Sequence, residues 1–254
     1  MADMNRREFF SMLAGMSTLM SLSACGKKEE PQPVEEPVEP AEAEVIAPEA
    51  DASGFVLLAD AVPDAIQEIR YYTTYNFVGD RIDGYEQPVA LITREAGEAA
   101  ETAKVQGYRL KIFDAYRPQM AVDHFVRWSK EIEDTRMKEY FYPELDKSVL
   151  FDQGYIAEKS GHTRGSTVDL TLFDMKTERE VDMGGTFDYF GELSHPDYRD
   201  ITAEQYGLRM VLRDIMLSNG FKPLAEEWWH FTLENEPYPD TYFTFPVNTA
   251  SVGK

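Results

Sequence analysis

Two residues near the middle of the chain could share a metal ion. His162 and Asp169 lie close together in the stretch SGHTRGSTVDL, and Gly161 and Gly165 beside the histidine let the backbone turn tightly. Asp169 falls within a run of Val, Leu and Thr that predicts a strand, where a carboxylate is costly unless it is paired. A histidine on a loop and an aspartate on the following strand are ligands that zinc accepts.

A catalytic zinc ion needs a third protein ligand and one open position. His230 in the stretch EEWWHF is the best remaining candidate, because Glu227 lies three residues ahead of it. A carboxylate there could take a proton from metal-activated water and deliver it to a leaving amine. Residues three apart on a regular strand face opposite sides, so we predict that Glu227 lies in the loop before the strand or that the strand is bulged. We expect His124 to be structural or exposed and His195 to be a loop residue.

An arginine could complete this chemistry. Arg117 in DAYRPQMAV lies at a predicted junction between a strand and a helix, where Pro118 fixes the chain direction. It could stabilise the oxyanion of a tetrahedral intermediate, a contact typically worth a few kcal/mol in the transition state. Each feature is weak by itself, since most pairs with the spacing of His162 and Asp169 are ordinary loop and strand residues. The metal hypothesis therefore depends on their combination.

The predicted elements that carry these residues indicate an α+β domain. Alternating patterns predict strands over 108–116, 166–173 and 227–233. Helical patterns with end signals predict helices over 93–107, 117–132 and 202–220. The last helix has a capping box formed by Thr202 and Gln205. Its predicted buried stripe consists of Leu208, Val211, Leu212, Ile215 and Met216. The irregular order of helices and strands favours a mainly antiparallel central sheet flanked by helices.

The N-terminal segment has the pattern of an export signal followed by a tether. Residues 1–24 contain twin arginines and an apolar run, which predict a signal peptide of the route that exports folded proteins. The sequence LSAC resembles the bacterial lipobox, so Cys25 is the expected lipidation site; a free cysteine in an uncleaved anchor is the alternative. Cys25 is the only cysteine, so the mature chain would have no disulfide and no cysteine ligand. Residues 25–53 are rich in Pro and Glu and predict a disordered tether.

The charge and the rest of the chain narrow the possible partners. The net charge of −21 argues against binding to nucleic acid or to anionic lipid. Residues 54–248 contain no second linker or repeat and predict one catalytic domain, with 249–254 as a tail. We therefore expect an exported domain, in the periplasm or at the cell exterior, held to the cytoplasmic or outer membrane by lipid alone. The sequence does not predict an oligomeric state.

Three motifs in a fixed order indicate a known family. The stretches DAYRP, SGHTRGSTVDLTL and EEWWHF resemble those of the D-alanyl-D-alanine dipeptidases, the VanX family of zinc peptidases. The stretches RYYTTYNFVGDRIDGYE, MGGTFDYFGELSH and ENEPYPDTYFTFPV extend the similarity across almost the whole domain. The resemblance implies a hedgehog/D,D-peptidase-like fold with one zinc ion per chain.

The resemblance also assigns roles to individual residues. It implies that the zinc ligands are His162, Asp169 and His230, with Glu227 as the catalytic carboxylate and Arg117 as the transition-state arginine. It adds three substrate contacts that the spacing alone did not suggest. Tyr71 and Asp188 would meet the substrate ammonium, and Ser160 would meet its free carboxylate.

The implied reaction is hydrolysis of the dipeptide D-alanyl-D-alanine to two D-alanines, linked to cell-wall metabolism. One alternative is a D,D-carboxypeptidase that acts on peptidoglycan stem peptides. Another is a zinc-containing binding domain without turnover, which would need neither Glu227 nor Arg117. The chain departs from the family in two ways: Gly161 replaces a bulkier residue, and the well-studied members act in the cytoplasm whereas this chain has an export signal.

Overall fold

The computed structural model describes residues 45–46 and 52–252. The predicted signal peptide, Cys25 and most of the predicted tether lie outside the described residues. Residues 45–46, within the predicted tether, form a short strand. Among the described residues, no helix has the length and apolar character needed to cross a membrane.

Short strands and helices alternate irregularly through the described residues. The strands are β1 Val45–Ile46, β2 Phe55–Leu57, β3 Ile66–Gln67, β4 Leu91–Thr93, β5 Tyr108–Asp114, β6 Thr167–Asp174, β7 Arg179–Glu180, β8 Phe221–Pro223, β9 His230–Leu233 and β10 Tyr242–Phe243. The α-helices are α1 Leu58–Ala61, α2 Arg94–Thr102, α3 Gln119–Lys130, α4 Lys138–Phe141 and α5 Ala203–Ser218. Single 3-10 turns cover Ala52–Gly54, Arg70–Tyr72, Lys147–Val149, Gly161–Arg164, Glu192–Ser194 and Thr249–Ser251.

The central sheet has the strand order β3-β5-β6-β9-β8, and β7 pairs with the end of β6. Only β3 and β5 run parallel; the other pairs in this sheet are antiparallel. Two further pairs, β2 with β4 and β1 with β10, lie outside it. The predicted α+β class with a mainly antiparallel sheet is confirmed.

Strand β6 lies at the centre of the sheet and is buried on both faces. The predicted apolar face of Val168, Leu170 and Leu172 is fully buried, and so is the opposite face with Asp169 and Thr171. Asp169 is 1% exposed, so its carboxylate has little contact with bulk water. It must therefore find partners within the protein.

Helix α5 begins as predicted, but its buried face differs from the prediction. Thr202 Oγ1 accepts from the Gln205 amide and the Gln205 side chain accepts from the Thr202 amide, so the capping box is present. Leu212 and Met216 are buried, whereas Val211 is 40% exposed and its predicted burial is wrong. Arg209 is buried instead, because α5 packs on an irregular segment of polar backbone as well as on apolar side chains.

Arg209 holds that irregular segment through its backbone. The guanidinium donates to the carbonyl oxygens of Met183 at 2.6 Å, His195 at 2.9 Å and Leu193 at 3.0 Å. Burial lowers the pKa of Arg209 to about 10. One buried side chain thus satisfies three carbonyls of a segment that has no ladder partner of its own.

Several predicted boundaries shift in the structure. Helix α2 begins after Thr93 as predicted but ends at Thr102, well before Gly107. Pro118 is the N-cap of α3, one position before the first turn. Strand β9 begins at His230 and is shorter than the prediction over 227–233.

Candidate metal centre and active site

Three side chains with metal-binding atoms meet at the centre of the sheet. Asp169 on β6 is the direct register partner of His230 on β9. His162 comes from the 3-10 turn that precedes β6. One ligand atom from each of these residues lies within 4.8 Å of the others. The register of β6 against β9 and the preceding 3-10 turn therefore bring together the three residues that the sequence suggested as metal ligands.

The distances within this cluster fit a single small cation. His162 Nε2 lies 3.2 Å from Asp169 Oδ2, His230 Nδ1 lies 3.1 Å from Asp169 Oδ1, and the two ring nitrogens are 3.3 Å apart. Two ligands about 2.1 Å from a tetrahedral ion lie about 3.4 Å apart, close to these values. Asp169 Oδ1 is buried and makes no hydrogen bond within the described residues, as expected of an atom that binds a metal.

The local backbone fixes which nitrogen of His162 faces the cluster. Ser160 caps the 3-10 turn, its Oγ accepting from the His162 amide at 3.3 Å. Gly165 ends the turn at φ 84°, where an added Cβ would also overlap the Phe55 ring. His162 Nδ1 donates to the Ala115 carbonyl at 2.7 Å, so Nε2 is left free to bind a metal.

The charges of the cluster depend on one another. Burial would raise the pKa of Asp169, but the neighbouring His162 and His230 lower it below its usual range. Burial would lower the pKa of His230, but the neighbouring carboxylates of Asp169 and Glu227 raise it to about 9. Without a metal, a proton on His230 therefore balances the buried carboxylate. A bound metal ion would take over that role, because a ligating imidazole must be neutral.

Glu227 lies in the loop immediately before β9, which is the first of the two predicted arrangements. A tight turn in which the His230 amide donates to the Glu227 carbonyl folds its side chain back toward the cluster. Its Oε2 is 3.4 Å from His230 Nδ1, and its side chain is 34% exposed. Trp228 and Trp229 are buried and pack in the core, and Glu226 is exposed.

Arg117 reaches the cluster from the junction of β5 and α3. Its Nη2 lies 3.6 Å from Asp169 Oδ2, and its Nε donates to Asp114 Oδ2 at 2.9 Å. Its guanidinium carbon lies 4.8 Å from the centre of the Tyr71 ring. The backbone amide of Arg117 donates to the His162 carbonyl at 3.3 Å, which links the arginine to the metal-binding turn.

Tyr71 and Asp188 form a buried pair near the cluster. The Tyr71 hydroxyl donates to Asp188 Oδ2 at 2.8 Å. Asp188 adopts φ 61°, a left-handed conformation that Asp tolerates better than most residues. Burial, reinforced by the charge of Asp169, raises the pKa of Asp188 well above its usual value, although Arg117 opposes the shift. A cation next to this carboxyl group would stabilise its charged form.

The cluster and the groups beside it border a cavity of about 270 Å³. Its lining includes the eight residues that the sequence pointed to: Tyr71, Arg117, Ser160, His162, Asp169, Asp188, Glu227 and His230. This volume is slightly below the range for drug-sized ligands, so the cavity suits a smaller molecule.

Some residues that line the cavity were not predicted from the sequence. Tyr155 and Lys159 also line the cavity. The sequence feature that could have indicated them is their position just before Ser160 in the stretch GYIAEKSGH. His124 is half-buried on α3, where its Nδ1 accepts from the Asp83 amide at 3.2 Å. His195 lies at the end of a 3-10 turn, and the cavity lining includes neither histidine.

The family of the chain is shown by comparison with known proteins. Residues 51–248 match the peptidase M15 family, described as D-Ala-D-Ala dipeptidase. The chain belongs to this family. It is therefore a metallopeptidase, and the cluster of His162, Asp169 and His230 is consistent with a metal site.

Proteins named D-alanyl-D-alanine dipeptidase are similar to this member of the family over most of their length. The one from Streptomyces coelicolor is 43% identical over 197 residues, which cover 76% of this chain and 98% of that protein. The one from Enterococcus faecium is 41% identical over 198 residues, with coverage of 76% and 98%. The one from Escherichia coli is 30% identical over 191 residues, with coverage of 72% and 86%.

Proposed function

We propose that this metallopeptidase hydrolyses the dipeptide D-alanyl-D-alanine to two D-alanines, in a reaction linked to peptidoglycan metabolism. The observation that carries the proposal is the small cavity, in which a metal-binding cluster and a buried carboxyl group, Asp188, face the same space. The names of the family and of its relatives support the same substrate.

We propose one zinc ion as the metal, held by His162, Asp169 and His230. Two imidazoles, one carboxylate and an open position make up a donor set found in catalytic zinc sites. A bound zinc ion would polarise the scissile carbonyl and make water easier to deprotonate.

Glu227 and Arg117 then have distinct tasks. Glu227 lies beside the cluster and lines the cavity, so its carboxylate accepts the proton of the attacking water and delivers it to the leaving amine. Arg117 also lines the cavity and keeps its charge at any working pH, so it stabilises the oxyanion of the tetrahedral intermediate.

The contacts proposed for the two charged ends of the substrate determine which peptide length fits the cavity. Asp188 and the Tyr71 ring and hydroxyl receive the ammonium group, whose charge favours the ionised form of the buried carboxyl. Ser160 lies on the metal-binding turn and receives the free carboxylate. A longer peptide would place a neutral amide against Asp188 and leave this buried group poorly paired, so the cavity selects the free dipeptide.

A comparison of substrates tests this proposal. With zinc, the purified protein should release D-alanine from the dipeptide with a kcat/KM about 10²-fold or more above that for a pentapeptide ending in D-Ala-D-Ala. Chromatography of the released D-alanine provides the rates. Release from the pentapeptide alone would establish a D,D-carboxypeptidase, and zinc binding without any release would indicate a binding domain.

An Asp188→Asn variant serves as the second arm of the same experiment. Loss of the charged partner should raise KM for the dipeptide about 10- to 100-fold, the usual worth of a hydrogen bond to a charged group. The KM for an N-acetylated dipeptide, which has no ammonium group, should differ little between the variant and the wild type. Asp197→Asn, an exposed residue of the same irregular region, is the control and should behave as the wild type.

We further propose that the chain is exported and anchored by a lipid on Cys25. The support is the sequence alone: twin arginines, an apolar run and LSAC at the expected cleavage position. A Cys25→Ser variant should stay unprocessed and incorporate no labelled fatty acid, whereas the wild type should be labelled and found in the membrane fraction. Equal processing and labelling of the two proteins would exclude this anchor.

A further inference from the structure

We propose that Asp114 is a positioning residue for the hydrolysis, which holds Arg117 in the orientation that meets the oxyanion, and that Tyr85 in turn holds Asp114. This inference rests on the proposed function, because it concerns the step in which Arg117 acts. It assigns a role to two buried residues that the reaction scheme above does not use.

Asp114 is buried behind Arg117 rather than in the cavity. It is 1% exposed, and the described residues that line the cavity do not include it. Its two carboxylate oxygens have separate partners: Oδ1 accepts from the Tyr85 hydroxyl at 2.6 Å, and Oδ2 accepts from Arg117 Nε at 2.9 Å. Asp114 therefore reaches the substrate only through Arg117.

An irregularity in the sheet brings Asp114 to this place. The register between β5 and β6 shifts between Ile112 and Asp114, so that Asp114 is paired with Asp169. In a regular ladder Phe113 would be paired with Asp169, and Asp114 would lie on the other face beside Val168. The bulge thus turns a second carboxylate toward the metal-binding face, at an energetic cost that an apolar residue would avoid.

The carboxylate of Asp114 determines how the guanidinium of Arg117 is oriented. Because Nε is bound to Asp114, the two terminal nitrogens of the guanidinium remain for other partners, and Arg117 lines the cavity. The next carboxylate within reach is Asp169, whose Oδ2 lies 3.6 Å from Nη2. Without Asp114, the arginine would be drawn toward Asp169 and would pair with a proposed metal ligand instead of the oxyanion.

Asp114 does not act mainly on the metal-binding histidine. Its Oδ2 lies 3.6 Å from His162 Nδ1, whereas that nitrogen donates to the Ala115 carbonyl at 2.7 Å. The orientation of His162 is therefore set by a backbone group, and Arg117 is the hydrogen-bonded partner of Asp114.

Kinetics of three variants test the assignment. Asp114→Asn should lower kcat for the dipeptide about 10²-fold, as does loss of an oxyanion donor, with zinc content and KM close to wild type. Tyr85→Phe should lower kcat about tenfold, since it removes the partner that holds Asp114 in place. Tyr116→Phe is the matched control: it removes a buried hydroxyl that donates to the Phe245 carbonyl at 2.8 Å, and kcat should not change.

A second readout does not depend on turnover. A phosphinate analogue of the dipeptide imitates the tetrahedral intermediate, and calorimetry measures its affinity. Asp114→Asn should weaken this affinity by about the factor by which kcat falls. Unchanged analogue binding together with unchanged kcat, in either Asp114→Asn or Tyr85→Phe, would overturn the proposal.

A double-mutant cycle shows whether Asp114 acts through Arg117. In an Arg117→Ala background, Asp114→Asn should cause little further loss of kcat, because the partner it positions is already absent. Full additivity, or loss of zinc in Asp114→Asn alone, would assign its effect to another residue. The rate of the wild type on the dipeptide and on the pentapeptide tests the proposed function separately. The rates of the variants are compared with that of the wild type on whichever of these peptides it cleaves.

Discussion

Replacing Glu227 with glutamine should nearly abolish hydrolysis of the dipeptide while zinc stays bound. The carboxylate lines the cavity beside His230, with its Oε2 3.4 Å from Nδ1, but it is not one of the three residues that form the metal-binding cluster. Glutamine keeps the shape of the side chain and cannot accept a proton. General acid–base catalysis typically contributes 10²- to 10⁴-fold, so kcat should fall by about that factor. Steady-state kinetics and elemental analysis of the same samples measure both quantities.

Glu226→Gln is the control for this experiment. Glu226 is the adjacent residue, and its carboxylate is exposed to solvent. Its replacement changes the net charge by the same amount and should leave kcat and zinc content unchanged. If Glu227→Gln lost its zinc, Glu227 would be a ligand rather than a base; if it kept the wild-type rate, the proton would be handled by another group.

Replacing His230 with alanine should remove the metal and, with it, the activity. Asp169 and His162 would remain, but two ligands do not hold zinc tightly against water. The loss of a Lewis acid worth several kcal/mol should lower kcat/KM about 10³-fold or more. A chelator should have the same effect on the wild-type protein, and added zinc should restore the wild type but not the variant. The measured quantities are bound zinc and the rate on the dipeptide.

The same variant should lose the stabilisation that the metal gives to the folded protein. A ligand at 1,000 times its Kd adds about 4 kcal/mol to the free energy of unfolding, so zinc should raise the Tm of the wild type and not that of His230→Ala. His195→Ala is the matched control, because His195 lies outside the cavity lining and its side chain should not affect metal binding. A Tm of the wild type that does not respond to zinc would contradict the assignment of the cluster.

The residues singled out in the sequence line one cavity, whereas several boundaries of the elements around it were predicted less well. His162 and Asp169 are separated only by the end of a 3-10 turn and the start of β6. Their close spacing in the sequence was therefore enough to predict that they lie near each other. His230 joins them through the pairing of β6 with β9, which cannot be predicted from a local sequence pattern. The sequence suggested His230 as a ligand because Glu227 lies three residues before it.

Features that depend on pairing between distant segments could not be read from the sequence. The bulge next to Asp114 exists only in the register of β5 against β6, and DAYRP by itself reads as a plain strand end. Arg209 lies one turn before Leu212 on the buried face of α5, where carbonyls of a separate segment accept its hydrogen bonds, whereas Val211 is exposed. Helical periodicity identifies a candidate face but does not show what covers it.

The way in which Arg209 binds its segment bears on how this enzyme could acquire new specificity. Its three hydrogen bonds reach the carbonyls of Met183, Leu193 and His195, so they are indifferent to the side chains at these positions. Asp188, the proposed ammonium contact, lies within the segment so held. Exposed residues of this segment, such as Glu192, could therefore be exchanged without loss of these three hydrogen bonds, whereas Phe187 and Phe190 belong to the core and must stay apolar. A search for new dipeptide substrates would randomise the exposed positions of this segment and keep its buried ones.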